Sequence, residues 1–448
     1  MVFFRSVRAG ALAFVMCSVP AMAHAETLRE ALTSAYLNNP TILSALLNVK
    51  ATAENIALAK SAQRPTIGAS ASVTQSYVAG LPLPSPSATL GASVNQNLFD
   101  NFKSDADIEA ARALTEASRY ALQNTEQNIL LAVVQAYMNV IMNQQLAALR
   151  SENVKFYQAQ VDSANDRLKI GEGTKIDVSQ AQARLAQGTA AYQSAISALQ
   201  TAQATYERYV GHKPKGLSSS YSLGKLMPSS IDGAVNRAVA DNPAILSAKA
   251  AIRAAQANSD SANAAFGPTL DMVSSLGATI GGSSATPAPA GSVKFSLTIP
   301  IYGGGAFGAN IRKANINQVK SEVDALAARD QVKEATISAW STLQNAVAQI
   351  QSANTAVSAG DLSLQGTIQE RDVGQSTTLD VLNAQSELES VKEGLIQASA
   401  SRVIASFALV AATGHLTAAD LGLNVAIKTG EDYIAKVEDV WAELRALD

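Results

Sequence analysis

The chain has 448 residues, 34 lysines and arginines against 37 aspartates and glutamates, a formal charge of −3, one cysteine and three histidines. A mildly acidic chain without a basic patch is not built to neutralise phosphates, which argues against nucleic acid as a partner. Aromatics are only 5% while alanine, serine and glutamine abound, an unusual makeup for a globular enzyme, although the length would suit two or three ordinary domains.

Residues 1–25 read as a secretory signal peptide. Arg5 and Arg8 give a basic start, Ala9–Val19 a short apolar run, and Ala23-His24-Ala25 a small-residue cleavage site. Cys17 lies inside it behind Phe14-Val15-Met16, a poor lipoprotein box, so a mature chain from about Glu26 should carry no cysteine, disulfide or lipid anchor. Losing two arginines and no acid takes the formal charge from −3 to −5. Beyond the leader no apolar run approaches the ~20 residues of a spanning helix. The exported chain is then soluble, or it enters a membrane as β-strands.

The mature sequence is duplicated. Asn39-Pro40-Thr-Ile-Leu-Ser-Ala45 matches Asn242-Pro243-Ala-Ile-Leu-Ser-Ala248, and 242 − 39 = 203. Pro65 and Pro268, Phe99 and Tyr302, Gly171 and Gly374, Asp177 and Asp380, and Gly211-His212 and Gly414-His415 share that offset. One constant offset marks a tandem repeat of a single structural unit, 26–214 and 230–417, with a linker at 215–229 and a tail at 418–448.

Within a unit, a short helix ends at Asn38, and Asn39 caps a second that takes Pro40 in its first turn and runs to about Ser61. A β-hairpin over about 66–99 follows. In it Ile67, Ala69, Ala71, Val73 and Tyr77, then Leu90, Ala92, Val94 and Leu98, alternate with Thr, Gly, Ser and Asn. The second hairpin, about 269–302, sets Val293, Phe295, Leu297, Ile299 and Ile301 against Ser292, Lys294, Ser296 and Thr298. Gly80–Pro86 and Gly281–Pro289 read as loops from their Pro, Gly and Ser content.

Next comes a long helix, about 103–169 in the first unit and 309–372 in the second. Apolar residues at 129, 133, 136, 140, 147, 154, 157, 161, 164 and 168 form a heptad seam, broken by Asn143 and Arg150. At 1.5 Å per residue this is a rod of ~100 Å, so the molecule must be elongated. Turns at 170–176 and 373–379 then end the rods, and return helices follow, the first from Asp177 to about Tyr209.

Strands of about ten residues cross a tilted bilayer, and in lipid the sheet must close. Four strands per chain fall short of the roughly eight that the smallest membrane barrels use. The barrel must therefore be shared, eight strands from a dimer or twelve from a trimer, and twelve suit an aqueous passage better.

Thr27-Leu-Arg-Glu-Ala-Leu-Thr-Ser-Ala-Tyr-Leu-Asn-Asn-Pro40, the twin Gly-x-x-Thr-x-x-Asp-Val turns at 171–178 and 374–381, and the duplication itself resemble the TolC family of outer-membrane channel proteins. The resemblance covers nearly the whole mature chain. It implies a mainly α fold with a β-barrel part: a homotrimer with a twelve-strand barrel in outer-membrane lipid, continued by a periplasmic α-helical barrel. It further implies an exit duct for drugs, toxic compounds or secreted polypeptides. A periplasmic adaptor (membrane fusion) protein would join that duct to an inner-membrane ABC or RND pump in a Gram-negative cell. The tail, with Tyr433-Ile-Ala-Lys-Val-Glu-Asp-Val-Trp441, resembles that of the branch paired with type I secretion or multidrug pumps.

Enzyme chemistry finds no anchor: there is no His-x-x-x-His, cysteine pair or Gly-x-Ser-x-Gly, so neither a metal nor a cofactor is expected. His212 and His415, just past a helix-ending glycine, read as capping or packing residues. Gly303-Gly-Gly-Ala-Phe-Gly308 fits a dinucleotide fingerprint, but its strand belongs to a hairpin and the first copy has Asp100-Asn-Phe-Lys-Ser-Asp105 there. Glycine instead lets the chain swing from strand to helix.

The tip turns carry the functional signal. Gly171 and Gly374 can take the positive φ that ends a helix, Thr174 and Thr377 can cap the next, and Asp177 and Asp380 fall in its first turn. The resemblance makes these tips the adaptor-contacting periplasmic mouth, with six aspartates per trimer that would attract cations. A second acid common in the family is Asn383 here, and the aromatic common before the second tip glycine is Arg371. Arg371 is expected to pair across a helix interface and hold a closed state. A soluble periplasmic coiled-coil or filament protein is the alternative, and it leaves the strand alternation unexplained.

Overall fold

A computed structural model describes residues 25–441 apart from 76, 78, 81–85, 220, 282, 283 and 439. The leader with Cys17, most of the first hairpin loop and residues 442–448 of the tail lie outside the described residues. The first repeat comprises α1 (Leu28–Asn38), α2 (Pro40–Ser61), β1 (Thr66–Thr74), β2 (Ser87–Phe99), α3 (Lys103–Lys169) and α4 (Lys175–Val210). A 3-10 turn at Gly224–Leu226 leads into α5 (Ile231–Asp241), α6 (Pro243–Ala264), β3 (Thr269–Gly281), β4 (Ser284–Thr298), α7 (Ala306–Asp372) and α8 (Thr378–Ala412). The tail carries α9 (Glu431–Glu438).

The strands form one antiparallel sheet in the order β1-β2-β3-β4, so β1 and β4 are open edges. Register fixes its two faces. Ile67 opposes Val94, Leu90 opposes Ala278, and Met272 opposes Phe295, which puts the aliphatic set on one side. Gly68–Ser93, Thr89–Thr279 and Ser275–Ser292 put the small polar set on the other. The apolar face is bare: Ile67, Val73, Leu276, Val293, Phe295 and Leu297 are each more than 60% exposed. In one respect the sequence expectation fails, because β4 reaches back to Ser284 through much of the stretch read as a loop. Within one chain β4 is the edge strand, the place in a sheet where proline is usually found.

The longer helices form a layer of four columns. α3 packs against α2 and α4 on one side and α6 and α8 on the other, and α7 lies beyond α6 and α8. Two columns are single rods of 67 residues, α3 and α7. The others are spliced from two helices end to end. Asn39 Oδ1 caps α2 by accepting from Thr41 N at 2.9 Å, while its Nδ2 donates to Tyr209 O of α4 at 3.2 Å. Asn242 repeats the joint, accepting from Ala244 N at 2.9 Å and donating to Ala412 O at 2.9 Å. Flanked on both sides, α3 buries more than the single heptad seam read from sequence: Asn153 and Gln160 are buried as well as Tyr157 and Val161.

The main core sits around the middle of α3, where Tyr36, Tyr137, Tyr206 and Phe407 are fully buried. Tyr137 donates to the carbonyls of Glu26 (2.8 Å) and Ser218 (2.6 Å), and burial raises its phenol to about 12. Two helices, α3 and α8, contain stretches long and apolar enough to cross a membrane, contrary to the sequence reading; 44% of each stretch is buried.

Candidate functional site

Both rods end in the same built turn. Gly171 (φ 82°) and Gly374 (φ 78°) occupy the left-handed region. Glu172 N donates to Arg167 O at 2.9 Å and Gly171 N to Leu168 O at 3.2 Å, while Gln375 N to Glu370 O and Gly374 N to Arg371 O repeat the pair at 2.8 and 3.0 Å. This double closure satisfies the last carbonyls and needs a residue without a Cβ penalty at the glycine. The return helices open on capping boxes. Asp177 N donates to Thr174 Oγ1 and Thr174 N to Asp177 Oδ2, at 3.2 and 2.9 Å, and Thr377 and Asp380 repeat both distances.

The tip carboxylates are therefore engaged at home. Asp380 Oδ2 accepts from Thr377 N, Thr377 Oγ1 and Ser376 Oγ, and those bonds hold its carboxyl below the ordinary carboxylate range. Both tips also present apolar residues in matched positions: Ile170 and Val373 before the glycine are each 71% exposed, and Ile176 and Leu379 after it are exposed too.

Above the tips a polar ladder joins the two repeats. Arg150 of α3 forms ion pairs with Glu389 and Glu393 of α8. Tyr157 reaches Glu389 at 3.4 Å, and burial raises its phenol to about 12. Gln385 donates to Asn153 at 2.7 Å. Nearer the tips, Arg371 of α7 donates to Gln160 Oε1 of α3 at 2.6 Å and to its own neighbour Asp372 at 2.7 Å. Arg184 of α4 donates to Asn383 of α8 at 3.0 Å. The cross-helix partner of Arg371 is thus a neutral amide, and its charge partner is sequence-adjacent. Glu389, Glu393, Gln160 and Arg184 were not singled out from sequence; the heptad interruption at Arg150 was the available sign of a polar seam.

Among the described residues no group of three or more His, Cys, Asp and Glu side chains is placed to hold a metal ion. His212 lies 3.4 Å from Glu26, and His415 lies 3.3 Å from both Asp241 and Asp420. Gly303–Gly305 form an elbow between β4 and α7, with Gly304 and Gly305 at φ 63° and 87°.

A sheet with one bare apolar face and one face of small polar residues, continued by rod-length helices closed by tight turns, fits the class of outer-membrane export ducts. The family model described as outer membrane efflux protein matches residues 31–212 and 234–415, and the chain belongs to that family. Its members are channels rather than enzymes, and this chain is an outer-membrane exit duct. Outer membrane efflux protein BepC of Brucella suis biovar 1 (strain 1330) is 40% identical over 427 residues, 94% of this chain and 93% of that protein. Outer membrane protein TolC of Escherichia coli (strain K12) is 24% identical over 91% of this chain and 86% of that protein. In fold, the Campylobacter jejuni CmeC outer membrane channel aligns with a TM-score of 0.79 at 16% identity, over 93% of this chain and 90% of that one.

Proposed function

We propose that three copies assemble into one conduit, fed from the periplasm by an inner-membrane ABC or RND pump through an adaptor docked on the tip turns. The observation that carries the assembly is a matched pair of open edges. β1 and β4 leave the sheet unclosed, and three sheets of four strands give a barrel of twelve. The helical layer is open on the same two sides. Leu43, Leu47 and Leu58 line exposed α2 at one edge, and Ile316, Val319, Val323 and Leu326 run in steps of three and four along exposed α7 at the other. Laying each copy's α7 edge on the next copy's α2 edge buries both stripes and closes sheet and helices with one rotation. The two family matches support the reading of the chain as repeats 26–214 and 230–417 with a linker at 215–229 and a tail at 418–448.

In this reading Gly171, Thr174, Asp177, Gly374, Thr377 and Asp380 form the rim that meets the adaptor, and Arg371, Asn383 and the two aspartates form the gate region. Opening slides the α7–α8 hairpin against α3 and α4, the interface crossed by the polar ladder. Small polar side chains on the inner face of the sheet leave the lumen passable to drugs or unfolded polypeptides. Purified protein should run as one trimeric species in detergent, crosslink between α7 and α2 edges, and give discrete conductance steps in planar bilayers. Fractionation without detergent and absence of conductance would instead favour a periplasmic filament. Crosslinking from cysteines placed at Ile170 or Val373 should capture an adaptor; capture only from mid-rod positions would remove the rim from the docking site.

A further inference from the structure

We propose that the C-terminal strap is a second membrane contact, with Trp441 seated in the glycerophospholipid headgroup layer on the periplasmic side of the outer membrane. The strap climbs the first repeat in strict order. Lys428 donates to Tyr36 O at 2.7 Å, Lys50 lies over the Tyr433 ring at 4.9 Å, and Tyr433 donates to Glu54 at 2.5 Å. Lys60 donates to Glu438 O at 2.9 Å, and Arg64 to Val440 O at 2.5 Å. Along α3 the order runs in reverse, from Ala418 on Glu126 through the Arg119–Glu431 pair to Arg112–Glu438 at 3.0 Å. The strap therefore runs parallel to α2 and antiparallel to α3, towards the point where α2 passes into β1.

Trp441 sits at that point. Its ring lies 4.4 Å from the Arg64 guanidinium, two residues before β1 begins at Thr66, and it is 69% exposed. The same end of the sheet carries the end of β2 at Phe99, the elbow residue Phe102 and, after β4, Tyr302, of which Phe102 is 68% and Tyr302 84% exposed. Phe102 even holds an aromatic at φ 64°, where the second repeat has Gly305 at φ 87°. A side chain retained in left-handed backbone points to a demand that overrides local preference. Exposed aromatics at one level, continuous with a bare aliphatic sheet face, fit a membrane interface, where an amphipathic ring sits at headgroup depth. Arg64 beneath the indole adds a cation suited to lipid phosphate. The strap thus pins the end of the second repeat to the membrane entrance of the first.

The whole chain has two tryptophans, Trp340 and Trp441. The full-length channel, reconstituted in phosphatidylethanolamine–phosphatidylglycerol vesicles, should lose Trp441 emission to lipids spin-labelled near the headgroup and resist aqueous iodide. The Trp441 signal is read in a Trp340→Phe chain and, independently, as the difference between wild type and Trp441→Phe, so one misfolded variant does not decide the matter. Trp441 emission should also move to shorter wavelength on transfer from detergent to vesicles. Quenching by iodide but not by lipid label would place Trp441 in water and overturn the proposal. Insensitivity to both would place it under a neighbouring copy of the chain and overturn it equally.

Discussion

Removing the Arg371–Gln160 hydrogen bond tests whether the contact between α7 and α3 holds the periplasmic end shut. Arg371 is 8% exposed, its Nη1 lies 2.6 Å from Gln160 Oε1, and no other hydrogen bond described for it crosses to another helix. A hydrogen bond from a charged donor contributes about 1.5–3 kcal/mol. Since 1.4 kcal/mol is a factor of ten, losing about 2 kcal/mol shifts a closed–open equilibrium roughly 30-fold in each protomer. Arg371→Met and Gln160→Leu should each raise open probability in planar bilayers by comparable factors. Both residues serve one bond, so the double variant should exceed neither single by much. Asp372 is exposed and shares only its own helix with Arg371, so Asp372→Asn should leave gating nearly unchanged. Additive single effects, with coupling below about 0.5 kcal/mol, would refute the bond as the closing element.

Other outcomes follow from the same geometry. Burial raises the carboxyl of Glu126 to about 7, against the opposing hydrogen bond from Ala418 N. The strapped state therefore binds this proton more readily than a detached one, and strap attachment should weaken as pH rises from about 4.5 through 7. Thermolysin release of the strap, compared with Glu126→Gln at each pH, should show that slope in the native chain and flatten it in the variant. Gly211 and Gly414 both hold positive φ, but a Cβ on Gly414 would lie 2.7 Å from Asp241 O while one on Gly211 meets nothing closer than 4.0 Å. Gly211→Ala should cost about 1–2 kcal/mol from backbone strain alone, and Gly414→Ala distinctly more, read as lost trimer on heating. Converting Asp177 and Asp380 to Asn together should preserve helicity, since the amide oxygen can still accept the capping bonds, but shift the reversal potential away from cation preference. An unchanged potential would remove these carboxylates from the ion path.

Much of the fold was legible because the repeat reports itself twice. The long helix expected over 103–169 runs from Lys103 to Lys169, and its partner expected from 309 begins at Ala306 because the glycine elbow ends sooner than the pattern suggested. Tip chemistry was equally readable, since glycine, threonine and aspartate act within six residues of one another. Partners remote in sequence were not. Gln160 and Arg371 are separated by 211 positions and meet only once α8 packs against both α3 and α7. Asn39 was readable as a cap because that bond spans two residues, whereas its second bond, to Tyr209, spans 170. β4 was cut short because proline signals a loop wherever edge status is unknown.

The Asn39 and Asn242 joints give the duct a mechanical division. Tilting the lower half of a spliced column stretches one amide-to-carbonyl bond, while the same tilt in α3 or α7 must deform a run of backbone hydrogen bonds. In the proposed trimer the two unbroken rods act as masts that keep the bore aligned with the membrane, and the spliced columns act as hinged staves. Motion at the periplasmic mouth can then be taken up at mid-height, before it loads the strands in the bilayer.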